Sequence, residues 1–340
     1  MAEPQRFDTV LRVVIAALVV ATLAVGGWFG YTVYRDRLAA EDTVPALRLA
    51  RTLRTQIKAN PNDAVLRVRL GEALGAAGKS QEAIEQFNAA LKISPKHTGA
   101  FMDLGILAMS NHRDEEAKGY FKKVIELTEG SDMADTNQRR ELALHNLGVL
   151  SYQQKDYEGA IGYFKAALRI RGDASDTYVY LAQSLEAIGQ VQDAESAVSV
   201  AIRFDPNFAQ ARYLLGKYML ANGDRLTASS HIGRARELAP GAPEPKKIAD
   251  EIGDPAALFK KAQAELTSDP DAALEDSLVA FNLDRKNNIP AAMFAAKLLI
   301  KKGDKAGALN VYERAAEVVP ANAEVAALVK KYTPKSKTSK

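Results

Sequence analysis

The sequence predicts an all-α protein built from repeated helical hairpins, and three observations lead to this fold class. A small residue recurs within apolar segments of helical length at spacings close to 34 residues. Short breaks that contain glycine or aspartate divide each period into two helical halves, which is typical of a helix–turn–helix repeat. No segment shows the alternating pattern of a β-strand. Because one hairpin cannot bury its apolar face alone, such repeats stack into a solenoid.

Five segments align on the small residue, and their register agrees over the whole period. The small residues are Gly71, Gly105, Gly148, Ala182 and Gly216, at spacings of 34, 43, 34 and 34. Twelve positions later stand Ala83, Ala117, Ala160, Ala194 and Ala228. Larger side chains follow at Phe87, Phe121, Phe164, Val198 and Ile232. Small residues let two helices approach to about 8–10 Å, so Gly71 is expected to face Ala83 while the larger side chains fill the space between layers.

This pattern resembles the tetratricopeptide repeat, a helix–turn–helix unit of 34 residues with small, aromatic and proline positions in this order. Pro95, Pro206 and Pro240 close three of the five aligned repeats. The family's usual tryptophan in the first helix is absent, and Phe101 and Tyr178 replace it with other aromatic residues in two repeats. The resemblance implies a right-handed α-α superhelical solenoid whose concave surface binds segments of other proteins.

The predicted organisation places one transmembrane helix before about seven repeats. Residues 1–12 form a short tail, 13–34 the transmembrane helix, 35–60 a juxtamembrane basic amphipathic helix or linker, 61–332 the repeat domain and 333–340 a basic tail. The repeats are expected near 64–97, 98–131, 141–174, 175–208, 209–242, 254–288 and 289–322, with a capping helix at 323–332. A cap is expected because the exposed end of a stacked array needs a polar cover.

The membrane prediction rests on 22 residues without a charge, from Val13 to Tyr34. At about 1.5 Å per residue this segment spans the hydrocarbon core of about 30 Å. A cleaved signal peptide is the alternative, but its apolar core is shorter and is followed by a small-residue cleavage site. The short basic N-terminal tail favours a single-pass protein of the cell membrane with the repeat domain outside. The count of arginines after the span favours a repeat domain at the cytoplasmic face.

Residues 45–59 predict an amphipathic helix with two alternative roles. Leu49, Leu53 and Ile57 form an apolar stripe at i, i+4 and i+8, and basic residues surround it. Such a helix can cap the first repeat or lie on anionic lipid. Nine additional residues near 128–140 predict a loop or a longer helix, or an insertion that contributes to a binding face.

The resemblance implies that the first helix of each repeat lines the ligand surface. Residues at offsets −6, −3, +1 and +4 from the small residue share one helix face. The predicted peptide-binding groove comprises Val65, Val68, Met102, Ile106, Met109, Leu142, His145, Val149, Tyr152 and Tyr213. On the same faces, the fourth and fifth repeats are more polar, with Gln183, Glu186 and Lys217. An exposed apolar strip that contains methionine is typical of an adaptable interaction surface, unless the helix at 45–59 covers it.

Composition and motifs argue against several other classes of function. The net charge of +3, from 45 basic and 42 acidic residues, gives no sign of a nucleic-acid-binding face. The chain has no cysteine, and its four histidines lack metal-binding spacing. No phosphate-binding loop or G-x-S-x-G motif is present. The sequence therefore predicts no enzyme activity, no cofactor and no bound metal.

The expected function is that of a membrane-anchored scaffold that binds partner peptides in the groove, in the assembly of bacterial envelope complexes. The partners are other proteins, and the membrane is contacted through residues 13–34. Two alternatives stay open. The apolar strip could mediate a structural homo-oligomer, or the chain could be the regulatory subunit of a membrane-bound enzyme.

Overall fold

The computed structural model describes residues 44–129 and 138–334, which form α-helices joined by short turns and contain no strand. The all-α class is therefore confirmed for these residues. The predicted transmembrane segment 13–34, the N-terminal tail and residues 335–340 lie outside the described residues. Among the helices that are described, none combines the length and the apolar character needed to cross a membrane.

Residues 130–137, which include most of the predicted insertion near 128–140, lie outside the described residues, and elsewhere the helices follow one another with turns of a few residues. They are α1 (Pro45–Ala59), α2 (Ala64–Ala76), α3 (Ser80–Ile93), α4 (Thr98–Ser110), α5 (Asp114–Thr128), α6 (Gln138–Gln153), α7 (Tyr157–Ile170), α8 (Ser175–Ala187), α9 (Val191–Phe204), α10 (Ala209–Ala221), α11 (Arg225–Leu238), α12 (Pro243–Ile252), α13 (Pro255–Glu265), α14 (Pro270–Leu283), α15 (Ile289–Lys301), α16 (Lys305–Val318) and α17 (Ala323–Tyr332).

The chain divides into two compact units. The N-terminal unit ends at Ala143 and the C-terminal unit begins at Leu144, so the boundary lies within α6. In the N-terminal unit, α2 pairs with α3 and α4 pairs with α5. In the C-terminal unit the pairs are α8 with α9, α10 with α11, α13 with α14 and α15 with α16, and α17 packs on α16. These pairs are the helical hairpins that the repeat pattern predicts.

Helix α1 packs against α2 of the first repeat. Ala50 and Leu53 are fully buried there, in a core that includes Val68 and Phe87. Of the apolar stripe that the sequence predicts, Leu49 remains 46 % exposed. One face of α1 therefore extends the core of the first repeat, while the basic face stays at the surface.

Most turns inside the repeats, though not the turn between α13 and α14, use a residue in the left-handed backbone region, where glycine is favoured because it has no Cβ. Gly78, Gly189, Gly223 and Gly303 have φ angles of 74°, 81°, 84° and 87°. Lys155 adopts the same conformation, with a φ angle of 63°, where the third repeat has no glycine. The short breaks that divide each of these periods into two helical halves are therefore turns.

The recurring small residue creates space for a ring from the second helix of its own repeat. A Cβ added at Gly71 would lie 2.5 Å from the Cε1 atom of Phe87, and Gly148 stands in the same relation to Phe164. The closest approach to Gly71 is made by the phenylalanine ring, and Ala83 of the same second helix is fully buried. In the fourth repeat the equivalent positions hold Ala182 and Val198, both fully buried. Where alanine replaces glycine in the first helix, the smaller valine replaces phenylalanine in the second helix.

This size relation predicts coupling between the two positions. Gly148→Ala alone should destabilise the protein by about 1–3 kcal/mol, because the buried Phe164 ring must move. The double variant Gly148→Ala with Phe164→Val has the residue pair of the fourth repeat. Its free energy of unfolding should exceed the value expected from adding the two single effects by at least about 1 kcal/mol. Urea denaturation of the four proteins measures the coupling, and strict additivity would contradict the account. Gly162→Ala, at an exposed position on α7 with open space around it, is the control.

A helix that the sequence analysis did not predict, α12, follows the fifth repeat. It packs on α11 and touches α10. Pro243 stands in its first turn, and Gly253 ends it with a φ angle of 137°. Helix α12 thus occupies the place where a new repeat would begin. The next hairpin then packs on α11 through its second helix, α14, rather than through α13.

The contact between α11 and α14 brings two backbones together. A Cβ added at Gly233 would lie 1.8 Å from the carbonyl oxygen of Asn282, so only glycine fits there. The amide of Asn282 donates a hydrogen bond to the hydroxyl of Ser229 at 2.9 Å. Both residues are buried, and Arg314 donates to the amide oxygen of Asn282 while the Ser229 hydroxyl donates to the carbonyl of Leu226, so their polar groups have partners.

A buried carboxylate also crosslinks this region. Asp276 on α14 is 2 % exposed and accepts hydrogen bonds from Arg225 at 2.6 Å and from Lys261 at 2.8 Å. Burial alone would raise the pKa of Asp276, but these two hydrogen bonds hold the pKa below its usual value. The ionised carboxylate therefore joins α11, α13 and α14.

Candidate functional site

The ten residues of the predicted groove are distributed over both units. Val65, Ile106, Leu142 and Met109 are accessible in the N-terminal unit, and His145, Tyr152 and Tyr213 are half-buried in the C-terminal unit. The prediction that all ten line an open surface is wrong for three residues. Val68, Met102 and Val149 are 5 %, 4 % and 5 % exposed. The offsets select a helix face, and part of that face packs against neighbouring elements instead of facing solvent.

Three exposed aliphatic side chains form what we call the apolar face of the N-terminal unit. Val65 on α2 is 57 % exposed, Ile106 on α4 is 43 % exposed and Leu142 on α6 is 40 % exposed. Val65 and Leu142 stand at the offset of −6 from their small residues and Ile106 stands at +1, all on first helices of repeats. Exposed large apolar side chains favour an interaction surface. The alternative in which α1 covers the strip is wrong for these residues, since they remain exposed.

A carboxyl group with an altered pKa lies on the same helix as Ile106. Burial, reinforced by the negative charge of Glu72 and opposed by Arg139, raises the pKa of Asp103 from 3.8 to about 7. Since the folded state then binds a proton more tightly than the unfolded chain does, stability should fall as the pH rises from about 4 through 7.

Asp103→Asn should remove the loss of stability that accompanies the rise in pH. We expect the variant to exceed the wild type in stability by about 1–2 kcal/mol at pH 8, after allowance for solvent screening, and to match it near pH 4. Thermal melts across this pH range measure the effect. Asp173→Asn, at an exposed position between α7 and α8, should leave the pH profile unchanged. Parallel profiles for Asp103→Asn and the wild type would contradict the assignment.

The C-terminal unit contains a concave depression with a volume of about 510 Å³, which we call the tyrosine pocket. Helices α6, α8, α10 and α12 each contribute to its wall. The lining residues are Tyr152, Gln183, Glu186, Ala187, Gln210, Tyr213, Leu214, Lys217 and Glu244. Two of them, Tyr152 and Tyr213, belong to the predicted groove. Aromatic surface with a few converging polar groups is the usual composition of a recognition site.

Packing of aromatic rings fixes the position of Tyr152. Its ring centroid lies 5.6 Å from that of Tyr157 and 6.0 Å from that of Tyr180, both in edge-to-face geometry. Tyr180 in turn stacks on Phe164 at 5.7 Å. Each such ring pair contributes about 0.5–1.5 kcal/mol beyond the area it buries. Tyr152 therefore presents a preorganised ring to the pocket.

His145 belongs to the same aromatic cluster. Its ring lies 5.8 Å from Tyr180, and its Nδ1 atom lies 2.8 Å from the hydroxyl oxygen of Thr177. Burial lowers the pKa of His145, and Arg171 adds to this effect against the opposing charge of Asp176. A neutral imidazole held in this way supports the ring cluster.

An ion pair lies in the wall of the tyrosine pocket. The ammonium group of Lys217 on α10 donates a hydrogen bond to one carboxylate oxygen of Glu186 on α8. The hydroxyl of Tyr218 donates to the other oxygen at 3.0 Å. Burial and the charge of Glu186 raise the pKa of Tyr218, so its hydroxyl stays protonated. The ammonium charge of Lys217 is thus paired within the protein.

The side chains of the tyrosine pocket have the composition of a ligand-binding site. Its side chains offer two rings, two amides and an ion pair along an open depression. Over residues 44–129 and 138–334, no group of three or more histidine, aspartate or glutamate side chains is arranged to hold a metal ion. Glu244 is the one lining residue that the sequence analysis placed in no repeat, because α12 was not predicted.

Sequence comparison identifies the repeats. Residues 50–132 and residues 151–218 each match a family described as tetratricopeptide repeat. The chain therefore contains tetratricopeptide repeats, and the matched stretches include the apolar residues Val65 and Ile106 as well as Tyr152 and Tyr213. Glu244 lies beyond the second match.

Two curated relatives and one solved structure place these repeats among known proteins. The peroxisomal targeting signal receptor of Candida albicans is 32 % identical over 121 residues, which are 35 % of this chain and 20 % of the receptor. The human protein O-mannosyl-transferase TMTC1 is 25 % identical over 225 residues, which are 66 % of this chain and 23 % of that protein. This chain thus spans about a fifth of the length of both relatives. PilF of Pseudomonas aeruginosa shares the fold with a TM-score of 0.52 at 21 % identity, over 58 % of this chain and 86 % of PilF.

Proposed function

We propose that this chain is a membrane-anchored scaffold that binds peptide segments of partner proteins through its tetratricopeptide repeats. The observation that carries the proposal is the tyrosine pocket. Two tyrosine rings, one of them fixed by an aromatic cluster, flank polar groups from neighbouring helices. A rigid ring that bears a hydroxyl group contributes a large contact area and loses little conformational entropy on binding, which suits the recognition of a peptide.

The relatives support this class of function. The Candida albicans relative is named as a receptor for a targeting signal, and its similarity to this chain extends over 121 residues. Of what that name says, we propose for this chain only the binding of a protein segment. The transferase named among the relatives matches over less than a quarter of its own length, so we propose a non-catalytic role for this chain.

The anchor and the location belong to the same proposal. Residues 13–34 supply an uncharged apolar segment for one membrane span. We place the protein in a bacterial cell membrane, with the repeats outside and acting in the assembly of envelope complexes. Protease treatment of intact cells tests the orientation. Digestion of the repeats supports the outer location, and protection until lysis places them at the cytoplasmic face.

Self-association is a second candidate role, and the apolar face of the N-terminal unit favours it. Val65, Ile106 and Leu142 are each at least 40 % exposed. Sedimentation of the full chain in lipid nanodiscs distinguishes the two roles. One chain per particle that still binds peptide supports the scaffold, and a stable oligomer that Ile106→Lys dissociates supports a structural role.

The binding function is tested by selection of dodecapeptides from a random display library on the full chain in nanodiscs. We expect a shared sequence motif among the selected peptides and dissociation constants in the micromolar range, about −8 kcal/mol, typical of a modest peptide interface. Empty nanodiscs serve as the control for the lipid surface. Selection of no peptide above the level of the control would overturn the proposed function.

A further inference from the structure

Carboxylates outnumber ammonium groups among the side chains that line the tyrosine pocket. Glu186 and Glu244 line the depression, and Lys217 is the one cationic side chain in its lining. Lys246, Lys247 and Glu251 also lie on α12, but they do not line the pocket. The charges of the lining therefore favour a positive ligand.

Lys217, the cationic side chain that lines the pocket, is already paired with a carboxylate. Lys217 donates its hydrogen bond to Glu186, and that carboxylate also accepts one from Tyr218. Glu244 lies in the first turn of α12, is exposed and lines the same depression. An anionic ligand group would have to displace Glu186 from Lys217 and approach Glu244. A cationic group meets a carboxylate that is accessible at the rim.

The walls of the pocket suit a cation as well. Tyrosine rings attract an ammonium or guanidinium group placed over their faces, within about 6 Å of the ring centroid. Tyr152 and Tyr213 are half-buried, so each presents part of its ring to the depression. A volume of about 510 Å³ accommodates one long side chain together with adjacent backbone.

We propose that the tyrosine pocket receives an arginine or lysine side chain of the bound peptide, with Tyr152 and Tyr213 as its aromatic walls and Glu244 as its carboxylate partner. The proposal rests on the proposed peptide-binding function and specifies its ligand. The partner segments of this scaffold are therefore basic at the residue that enters the pocket. A guanidinium is the better fit, because it stacks on rings and donates two parallel hydrogen bonds to one carboxylate.

The test uses the dodecapeptides selected on the full chain. One selected peptide is synthesised with arginine and with citrulline, which has nearly the same shape but no charge. We expect a basic residue to be enriched at one position of the selected motif, and citrulline to weaken binding about tenfold or more. Glu244→Gln should weaken binding of the arginine peptide about three- to tenfold and leave the citrulline peptide unaffected.

Glu158→Gln is the matched control, since Glu158 is exposed on α7 and lies outside the pocket. It should bind both peptides as the wild type does. Enrichment of acidic residues, or equal affinity for the arginine and citrulline peptides, would overturn the cation assignment and leave the peptide-binding function intact. Failure to select any peptide would overturn both.

Discussion

Gly233→Ala is expected to lower the free energy of unfolding of the C-terminal unit by about 3 kcal/mol. The added Cβ would lie 1.8 Å from the carbonyl oxygen and 2.8 Å from the carbonyl carbon of Asn282. Both are backbone atoms of α14, so no side-chain rotation relieves the clash and α11 must move away from α14. We expect the hydrogen bond between Asn282 and Ser229 to be lost as well, which removes a polar contact between two buried side chains.

Hydrogen exchange of the full chain measures this effect in the relevant helices. Amides of α11 and α14 should lose protection in Gly233→Ala, while those of α2 and α3 in the N-terminal unit should not. Gly162→Ala is the matched control, because an added Cβ there meets open space and alanine favours a helix by up to about 1 kcal/mol. If the two variants behaved alike, the close approach of α11 and α14 would be wrong.

Replacing both Tyr152 and Tyr213 by alanine should reduce the affinity for a selected peptide at least about a hundredfold, or about 2.7 kcal/mol. The two side chains supply the aromatic walls of the tyrosine pocket, and buried aromatic anchors usually carry most of the energy of an interface. Tyr213→Ala alone should lose about tenfold. Isothermal titration of the peptide into each variant gives these values.

Folding of the variants must be separated from binding. Tyr152 packs against Tyr157 and Tyr180, so its removal also loosens the aromatic cluster. Tyr213→Ala is the cleaner variant, since the tyrosine lies in the wall of an open depression. Tyr163→Ala on α7 is the control, because Tyr163 is similarly half-buried but does not line the pocket. Affinities within twofold of the wild type for Tyr213→Ala would remove the pocket as the binding site.

The repeat register could be predicted from the sequence because each repeat contains its own determinants. Gly148 and Phe164 are sixteen positions apart, and the glycine in the first helix makes room for the ring from the second. The turn residue is equally local, as the φ angle of 74° at Gly78 illustrates. Local determinants of this kind recur with the period and are visible in one sequence.

Helix α12 was missed for the opposite reason. It is ten residues long and interrupts the period, so an alignment of repeats does not include it. Pro243 at its start and Gly253 after its end are good boundary signals that could have identified it. The packing of α11 on α14 depends on Gly233 and Asn282, which are far apart in the sequence. No local pattern marks such a pair.

The peptide-binding surface stays a prediction. The helix-face rule placed Tyr152 and Tyr213 in the groove, and both line the tyrosine pocket. It failed for Val68 and Met102, because periodicity gives the direction of a side chain and not the position of the neighbouring helix that covers it. Glu244 could not be selected while α12 was unknown.

Photo-crosslinking locates the bound peptide and so shows whether it lies in the tyrosine pocket. A selected peptide carries benzoylphenylalanine beside its basic residue, is bound to the full chain in nanodiscs and is irradiated, and the attachment sites are mapped by mass spectrometry. If peptides bind in the tyrosine pocket, crosslinks should form on the lining helices α8, α10 and α12, at residues such as Gln183, Gln210 and Glu244. Crosslinks confined to α7, α9 and α11, or to the apolar face of the N-terminal unit, would contradict binding in this pocket.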